Sequence, residues 1–141
     1  DGSQQQLIYE ILQQGNVLDQ VHFGGRVGLD ELPRNYCAAD VYVTPSHVDG
    51  SSVSLLEAMA CQLPSIVTDI PGNLEWVEHG LHGWVYQDGD IEALSSSILD
   101  AFKSSQLDQM GTAARAKVEQ DANWFANFLK LIDVYQSLVR S

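Results

Sequence analysis

The sequence predicts an α/β fold: a parallel sheet flanked by helices and ending in helices. Three observations carry this. Short β-branched runs alternate with helical periodicity from Val21 to Phe102. Those runs lack strict apolar/polar alternation, as strands buried on both faces do. Beyond Asp90 the pattern is helical only. With 141 residues the chain is one domain by length. Strands and helices fill residues 1–103, and C-terminal helices fill 106–140.

The elements follow in order. Gln4–Gln14 places Leu7, Ile8, Ile11 and Leu12 on one helical face, with Gly15 as C-cap. Val21-His22-Phe23 reads as a short strand ended by Gly24-Gly25. Leu29–Ala39 is a helix with Leu32, Tyr36 and Ala39 inward, and Pro33 is tolerated in its first turn. Val41–Thr44 is a strand closed by Pro45. Ser52–Cys61 is a helix, Ser65–Thr68 a strand, Asn73–Glu78 a short helix stopped by Gly80, and Gly83–Tyr86 the last strand. Asp90 caps a helix whose face is Ile91, Leu94, Ile98 and Phe102. Gln106–Gln120 is a polar helix with Met110 and Val118. Ala122–Val139 is long and amphipathic, carrying Trp124, Phe125, Phe128, Leu131, Ile132, Tyr135 and Leu138.

Composition narrows the function classes. The chain is 45% hydrophobic, enough for a packed core, and its formal net charge is −12 with seven Lys and Arg. That balance argues against nucleic acid as a partner, which needs a clustered cationic surface. It also argues against a polybasic membrane anchor. Cys37 and Cys61 lie in apolar helical patterns. They read as two buried free thiols in a reducing compartment, with a single disulfide as the alternative. The sequence has no metal-ligand spacing, no signal peptide and no long apolar run.

In parallel sheets ligands bind beyond the carboxyl ends of the strands, which directs attention to the loops after Phe23, Thr44, Thr68 and Tyr86. The second is the most informative. Asp49-Gly50-Ser51-Ser52 runs straight into a helix, whose start offers free N–H groups and a partial positive charge. Small residues there leave room for a diphosphate although the loop holds no lysine. Glu57, one or two turns inside the helix, can accept from two neighbouring hydroxyls such as a ribose diol. Asp49 at the loop mouth can hold hydroxyls of a sugar. Each residue also has a plain structural reading. Ser54 and Glu57 have capping-box spacing, and Asp49-Gly50 alone is an ordinary turn. Arg26 stands equally well as a surface charge. Glu75 reads as a first-turn dipole acid, His47 as incidental, and Trp124 and Tyr135 as core or docking residues.

The stretch P-S-x-x-D-G-x-x-x-x-L-L-E-A-M-A-C-x-L-P-x-I-x-T-D, from Pro45 to Asp69, closely resembles the donor-site segment of glycosyltransferase family 4. The two acids Asp49 and Glu57 match its pair. Thr68, Asp69, Gly72 and Glu75 match a following T-D-x-x-G-x-x-E. Glu78–Gly83 matches a glycine-closed turn, and Val21, Phe23, Gly25, Arg26 and Val27 match a preceding V-x-F-x-G-R-V. The resemblance runs from about Asp1 through the last helix. It implies a Rossmann-like sheet, the C-terminal half of a GT-B enzyme. It further implies sugar transfer from a nucleotide diphosphate sugar with retained configuration and no required metal or other cofactor.

By this resemblance Asp49 and Glu57 are the catalytic pair. Asp49 contacts the sugar and Glu57 the ribose. Donor binding falls to Gly25, Arg26, Val27, Asp49, Gly50, Ser51, Ser52, Val53 and Glu57, with Gly25–Val27 near the base. The partners implied are the nucleotide-sugar donor and an acceptor on a missing N-terminal domain. A cytoplasmic location follows, with room for peripheral membrane association of the full-length protein.

The sequence departs from the family in two places: Asp49 stands where Glu is usual, and Ser51-Ser52 replaces an aromatic-Gly pair. Those serines leave open either added phosphate and sugar contacts or a weakened site. Asp1-Gly2 resembles the tail of a turn after the family's second strand. The strands and basic residues before it would then lie upstream, and the chain is expected to be a fragment, inactive alone. A degenerate, non-catalytic binding module of the same fold is the competing reading. Another GT-B enzyme, such as a sugar-nucleotide epimerase, fits the acid spacing less well.

Overall fold

The computed structural model describes residues 4–139. The Asp1-Gly2 turn therefore lies outside the described residues. The chain divides into two compact units, Asp1–Leu32 and Pro33–Ser141.

The first unit holds helix α1 (Gln5–Gln14) and a 3-10 turn at Leu18–Gln20. Gly15 is the C-cap of α1, its N–H reaching back to the Ile11 carbonyl at 3.0 Å, while the Asn16 N–H bonds the Gln13 carbonyl at 3.1 Å. The expected apolar face of α1 is largely in solvent: Leu7, Ile8 and Ile11 are exposed. Tyr9 stacks on Phe23 at 4.6 Å. Val21–Phe23 is not a strand but extended coil. A strand exists only through its ladder. In a 3-2-1-4-5-6 order a strand at this position would pair with the second, and no such strand is among those described.

The second unit carries the sheet: β1 (Tyr42–Thr44), β2 (Ser65–Thr68) and β3 (Gly83–Tyr86), all parallel, in the order β1-β2-β3. Tyr42 pairs with Ser65, and Ser65 with Gly83. Helix α2 (Leu32–Cys37) precedes β1, α3 (Val53–Ala60) joins β1 to β2, and α4 (Pro71–Leu74) joins β2 to β3. Then come α5 (Ile91–Lys103), α6 (Leu107–Asp121) and α7 (Trp124–Val139). The helix expected at Asn73–Glu78 begins earlier, because Pro71 at its first position is already set for helical φ. The expected Leu29–Ala39 helix shortens to six residues, with Pro33 in its first turn.

Alternate residues of β2 feed two cores. Val67 joins Leu55 and Met59 of α3, Ala114 and Val118 of α6, and Trp76 and Val77. Ile66 joins Trp84, Tyr86, Ala101 and Met110 on the other side. All four β2 residues are buried, as their β-branched run predicts. β1 differs, for Val43 is exposed. Gly111 lets α6 lie against the chain after α3: a Cβ there would overlap the Gln62 carbonyl oxygen and stand 2.9 Å from its carbon.

Helix α5 buries only part of the face its periodicity marks out, Leu94 packing on the Ile66–Trp84 core. Ser97 and Ala101 are buried, whereas Ile91, Ile98 and Phe102 are exposed. Ile98 and Phe102 line a groove with Val41, Val43 and Ile66 along the edge strand. Their apolar face points at an open sheet edge rather than a filled core. Asp90 caps α5 as expected, accepting from the Ala93 N–H at 2.9 Å. Asn123 does the same for α7 through Ala126 at 3.0 Å. Trp124 and Tyr135 of α7 are exposed and form no part of the core. No helix among the described residues is long and apolar enough to cross a membrane.

Candidate functional site

The loop from Pro45 to Ser52 leaves the carboxyl end of β1 and enters α3 at Ser52. Ser52 is the N-cap and has extended backbone, yet no side chain caps the helix. The first N–H groups of α3 are thus without the side-chain acceptor that usually satisfies one of them. Gly50 and Ser51 are exposed, and a Cβ at Gly50 would meet nothing within 4 Å. The start of α3 is thus open and uncapped.

The loop is held from below by the segment after β2. Thr68 donates its hydroxyl to the Ser46 carbonyl, and Ser46 in turn bonds the Thr44 hydroxyl at 3.0 Å. Asn73, fully buried, donates to both the carbonyl and the hydroxyl of Thr68 at 3.1 and 3.0 Å. Gly72 lies directly beneath the loop: a Cβ would overlap the carbonyl oxygens of Asp49 and Gly50. Trp76 donates from Nε1 to the Ser51 hydroxyl at 3.3 Å, and Ser51 donates to Glu75 at 3.4 Å. The T-D-x-x-G-x-x-E pattern therefore forms a platform under the loop. Glu75 is not a first-turn acid. It is the C-cap of α4, and its carboxylate receives Ser51.

Glu57 is half-buried in α3. The capping-box reading fails because the N-cap is Ser52, not Ser54. Glu57 Oε2 instead accepts from the Tyr36 hydroxyl at 3.2 Å. Burial, then the Glu57 charge and this hydrogen bond, push the Tyr36 phenol up to about 12. Tyr36 keeps its proton at any ordinary pH and stays a donor. Its ring meets Tyr42 edge-on at 6.2 Å, and the Tyr42 hydroxyl bonds Ser54 at 2.8 Å. Ser54 also bonds Ser52 at 3.1 Å.

The structure gathers Asp49, Gly50, Ser51, Ser52 and Val53 beyond the carboxyl end of β1, with Glu57 one turn further along α3. Gly25, Arg26 and Val27 belong to the first unit. They form coil there, with Gly25 at φ 64° and both Gly25 and Arg26 exposed. Residues not singled out from sequence are Tyr36, Asn73 and Trp76. Asn73 lies inside the recognised Thr68–Glu75 segment and Trp76 directly follows it, so their contacts with the loop could be suspected. Tyr36 carries no local signal, because its partner is 21 positions away. His47, read as incidental, has one side-chain partner: its Nδ1 is 2.7 Å from Asp88, in the loop after β3, at an exposed position. Cys37 and Cys61 are free, as expected, but Cys37 is exposed and Cys61 half-buried, because both stand at helix ends.

Comparison with known proteins places these features in context. A family model described as glycosyl transferases group 1 matches residues 1–117. The chain is 30% identical over 131 residues to the amylovoran biosynthesis glycosyltransferase AmsK of Erwinia amylovora, covering 88% of this chain and 32% of that protein. Among solved structures it is similar to a sucrose-phosphate synthase from Thermosynechococcus elongatus. The TM-score is 0.87 at 28% identity, over 99% of this chain and 35% of that one. The pneumococcal O-GlcNAc transferase GtfA, solved in complex with UDP and GlcNAc, has TM-score 0.75 at 25% identity, over 84% of this chain and 24% of that one. The chain spans about a third of the length of the first curated relatives it matches.

Proposed function

We propose, on the premise that the chain belongs to the group 1 glycosyl transferases, that it is the donor-binding part of a retaining enzyme. That enzyme, of the family 4 type, takes a sugar from a nucleotide diphosphate sugar without an obligatory metal. The observation that carries this reading is the uncapped start of α3 under an open Gly50, flanked by two acids. N–H groups aimed at one point suit a diphosphate, and they gain value as negative charge builds on a departing one. Asp49 orients the sugar hydroxyls. Glu57, held by Tyr36, keeps its other carboxylate oxygen for the ribose diol. GtfA, with UDP and GlcNAc bound in its crystal structure, supports a donor of this chemical class. The acceptor side is supplied elsewhere, so the chain alone transfers no sugar.

Calorimetric titration of the chain with UDP, GDP and ADP tests this. One nucleotide is expected to bind. Glu57→Gln should weaken it about tenfold, the ~1.4 kcal/mol of one charge-assisted hydrogen bond. Binding of none of the three would favour a non-catalytic module of the same fold. Sugar transfer by the chain alone would overturn the assignment of the acceptor side elsewhere.

A further inference from the structure

At the opposite end of the sheet from the loop, two cysteines face one cavity. Cys37 is the last residue of α2 and Cys61 the C-cap of α3. Both line a cavity of about 320 Å³ with Asp40, Gln62, Pro64 and Thr112. The two helices are tied side by side by the Tyr36–Glu57 hydrogen bond. Tyr36 immediately precedes Cys37, and Glu57 lies one turn before Cys61, whose N–H bonds the Glu57 carbonyl. The same helix pairing that brings Tyr36 to Glu57 therefore brings Cys37 to Cys61.

From this geometry we infer that Cys37 and Cys61 are a modification site, a thiol pair that closes to an intramolecular disulfide when a low-molecular-weight disulfide oxidant is present. Their electrostatics agree with the geometry. Burial raises the Cys61 thiol, and Cys37 raises it further through its charge and a hydrogen bond. The Arg115 guanidinium acts in the opposite direction on Cys61, and both sulfurs in turn act on Arg115.

The steps balance with oxidised glutathione as the oxidant. The exposed Cys37 thiolate attacks one sulfur of the oxidant and releases one glutathione thiolate. Cys61, deprotonated in turn, attacks the Cys37 sulfur of the mixed disulfide and releases the second. The two cysteines lose two electrons and two protons, and the oxidant leaves as two thiols. The new bond fixes the end of α2 to the end of α3, one turn from the Tyr36–Glu57 contact. The inference does not depend on what the loop binds.

The test uses the reduced chain under native conditions with oxidised glutathione, then alkylation of free thiols and peptide mapping by mass spectrometry. The expected product is a Cys37 peptide joined to a Cys61 peptide of the same chain, two hydrogens lighter than the sum, with no covalent dimer on a non-reducing gel. Cys61→Ser should trap glutathione on Cys37, because the resolving thiol is gone. In concentrated urea the cross-link should form at least tenfold more slowly, since the fold supplies the proximity. Accumulation of glutathione on wild-type Cys37 beside a free Cys61, or equal cross-linking rates in urea and buffer, would overturn the proposal.

Discussion

Gly72→Ala tests whether the segment after β2 sets the position of the Asp49–Gly50 loop. Two opposing effects meet at this residue. It lies in a helix, where alanine ordinarily gains about 0.5–1 kcal/mol over glycine. Packing opposes that. The added Cβ would stand 2.9 Å from the Gly50 carbonyl carbon, against the 3.4 Å at which ordinary contact begins, and would overlap two carbonyl oxygens. All three atoms are backbone, so no rotamer change relieves the clash. Overpacking of this kind costs about 1–3 kcal/mol, which outweighs the local gain over most of that range. The expected result is a lower urea midpoint with unchanged slope, followed through the buried Trp76 and Trp84. Gly50→Ala is the control. Its Cβ meets nothing within 4 Å, so stability should stay within about 0.5 kcal/mol. A Gly72→Ala chain as stable as wild type, or more stable, would show that the loop yields freely, and the platform argument would be lost.

Other outcomes follow from the same packing. Gly111→Ala, in the interior of α6, should destabilise by about 1–3 kcal/mol, although alanine is the better helix former, because its Cβ would meet the Gln62 carbonyl; a gain in melting temperature would refute this. His82 is buried and accepts from the Glu78 N–H at 3.1 Å, and burial lowers its pKa below the unfolded value of about 6.5. The unfolded chain then binds the extra proton first, so the stability His82 contributes is full above about 6.5 and is lost as pH falls through the folded value. Melting curves of wild type and His82→Gln between neutral and mildly acidic pH should converge as pH falls, and a constant gap would count against it. Tyr36→Phe removes one hydrogen bond from Glu57, so in the proposed reading UDP or its analogue should bind about 5-fold more weakly, the ~1 kcal/mol of that bond. The 2′-deoxy nucleotide should be much less affected, and an equal loss for both would place Glu57 away from the ribose.

The elements that could be read from sequence are those whose environment is local or buried on all sides. The β2 run Ser65–Thr68 is flanked by sheet and helices on both faces, so its β-branched composition alone marks it. Asp90 caps α5 through a contact three residues away, which a linear pattern contains. The failures are contextual. Val21–Phe23 has strand composition, but composition does not supply a ladder. The apolar stripe Ile91–Leu94–Ile98–Phe102 is real, yet only Leu94 packs on the core while Ile98 and Phe102 line the groove along β1, so periodicity names the face without naming its burial. In the site, the acids and Gly50 were legible because a helix start announces itself. Their supports were less so: Tyr36 approaches Glu57 from another helix, and Trp76 reaches Ser51 from the segment after β2, a contact a linear pattern suggests without specifying.

The serines at 51 and 52 show how much those supports change the chemistry. From sequence alone their hydroxyls are free to contact phosphate or sugar. In the fold both are already occupied: Ser51 lies between Trp76 and Glu75, and Ser52 bonds Ser54, which bonds Tyr42. In the proposed reading what remains for a ligand is backbone N–H, in a loop already held by these hydroxyls, so binding orders little more of it. If Ser51 acts by holding the loop, Ser51→Ala and Trp76→Phe remove the same constraint from opposite ends. Each should then weaken nucleotide binding by a similar factor, and the double variant should be little worse than either single one. Direct contact between the Ser51 hydroxyl and the ligand makes the opposite demand. Ser51→Ala would then cost clearly more than Trp76→Phe, and the two losses would add.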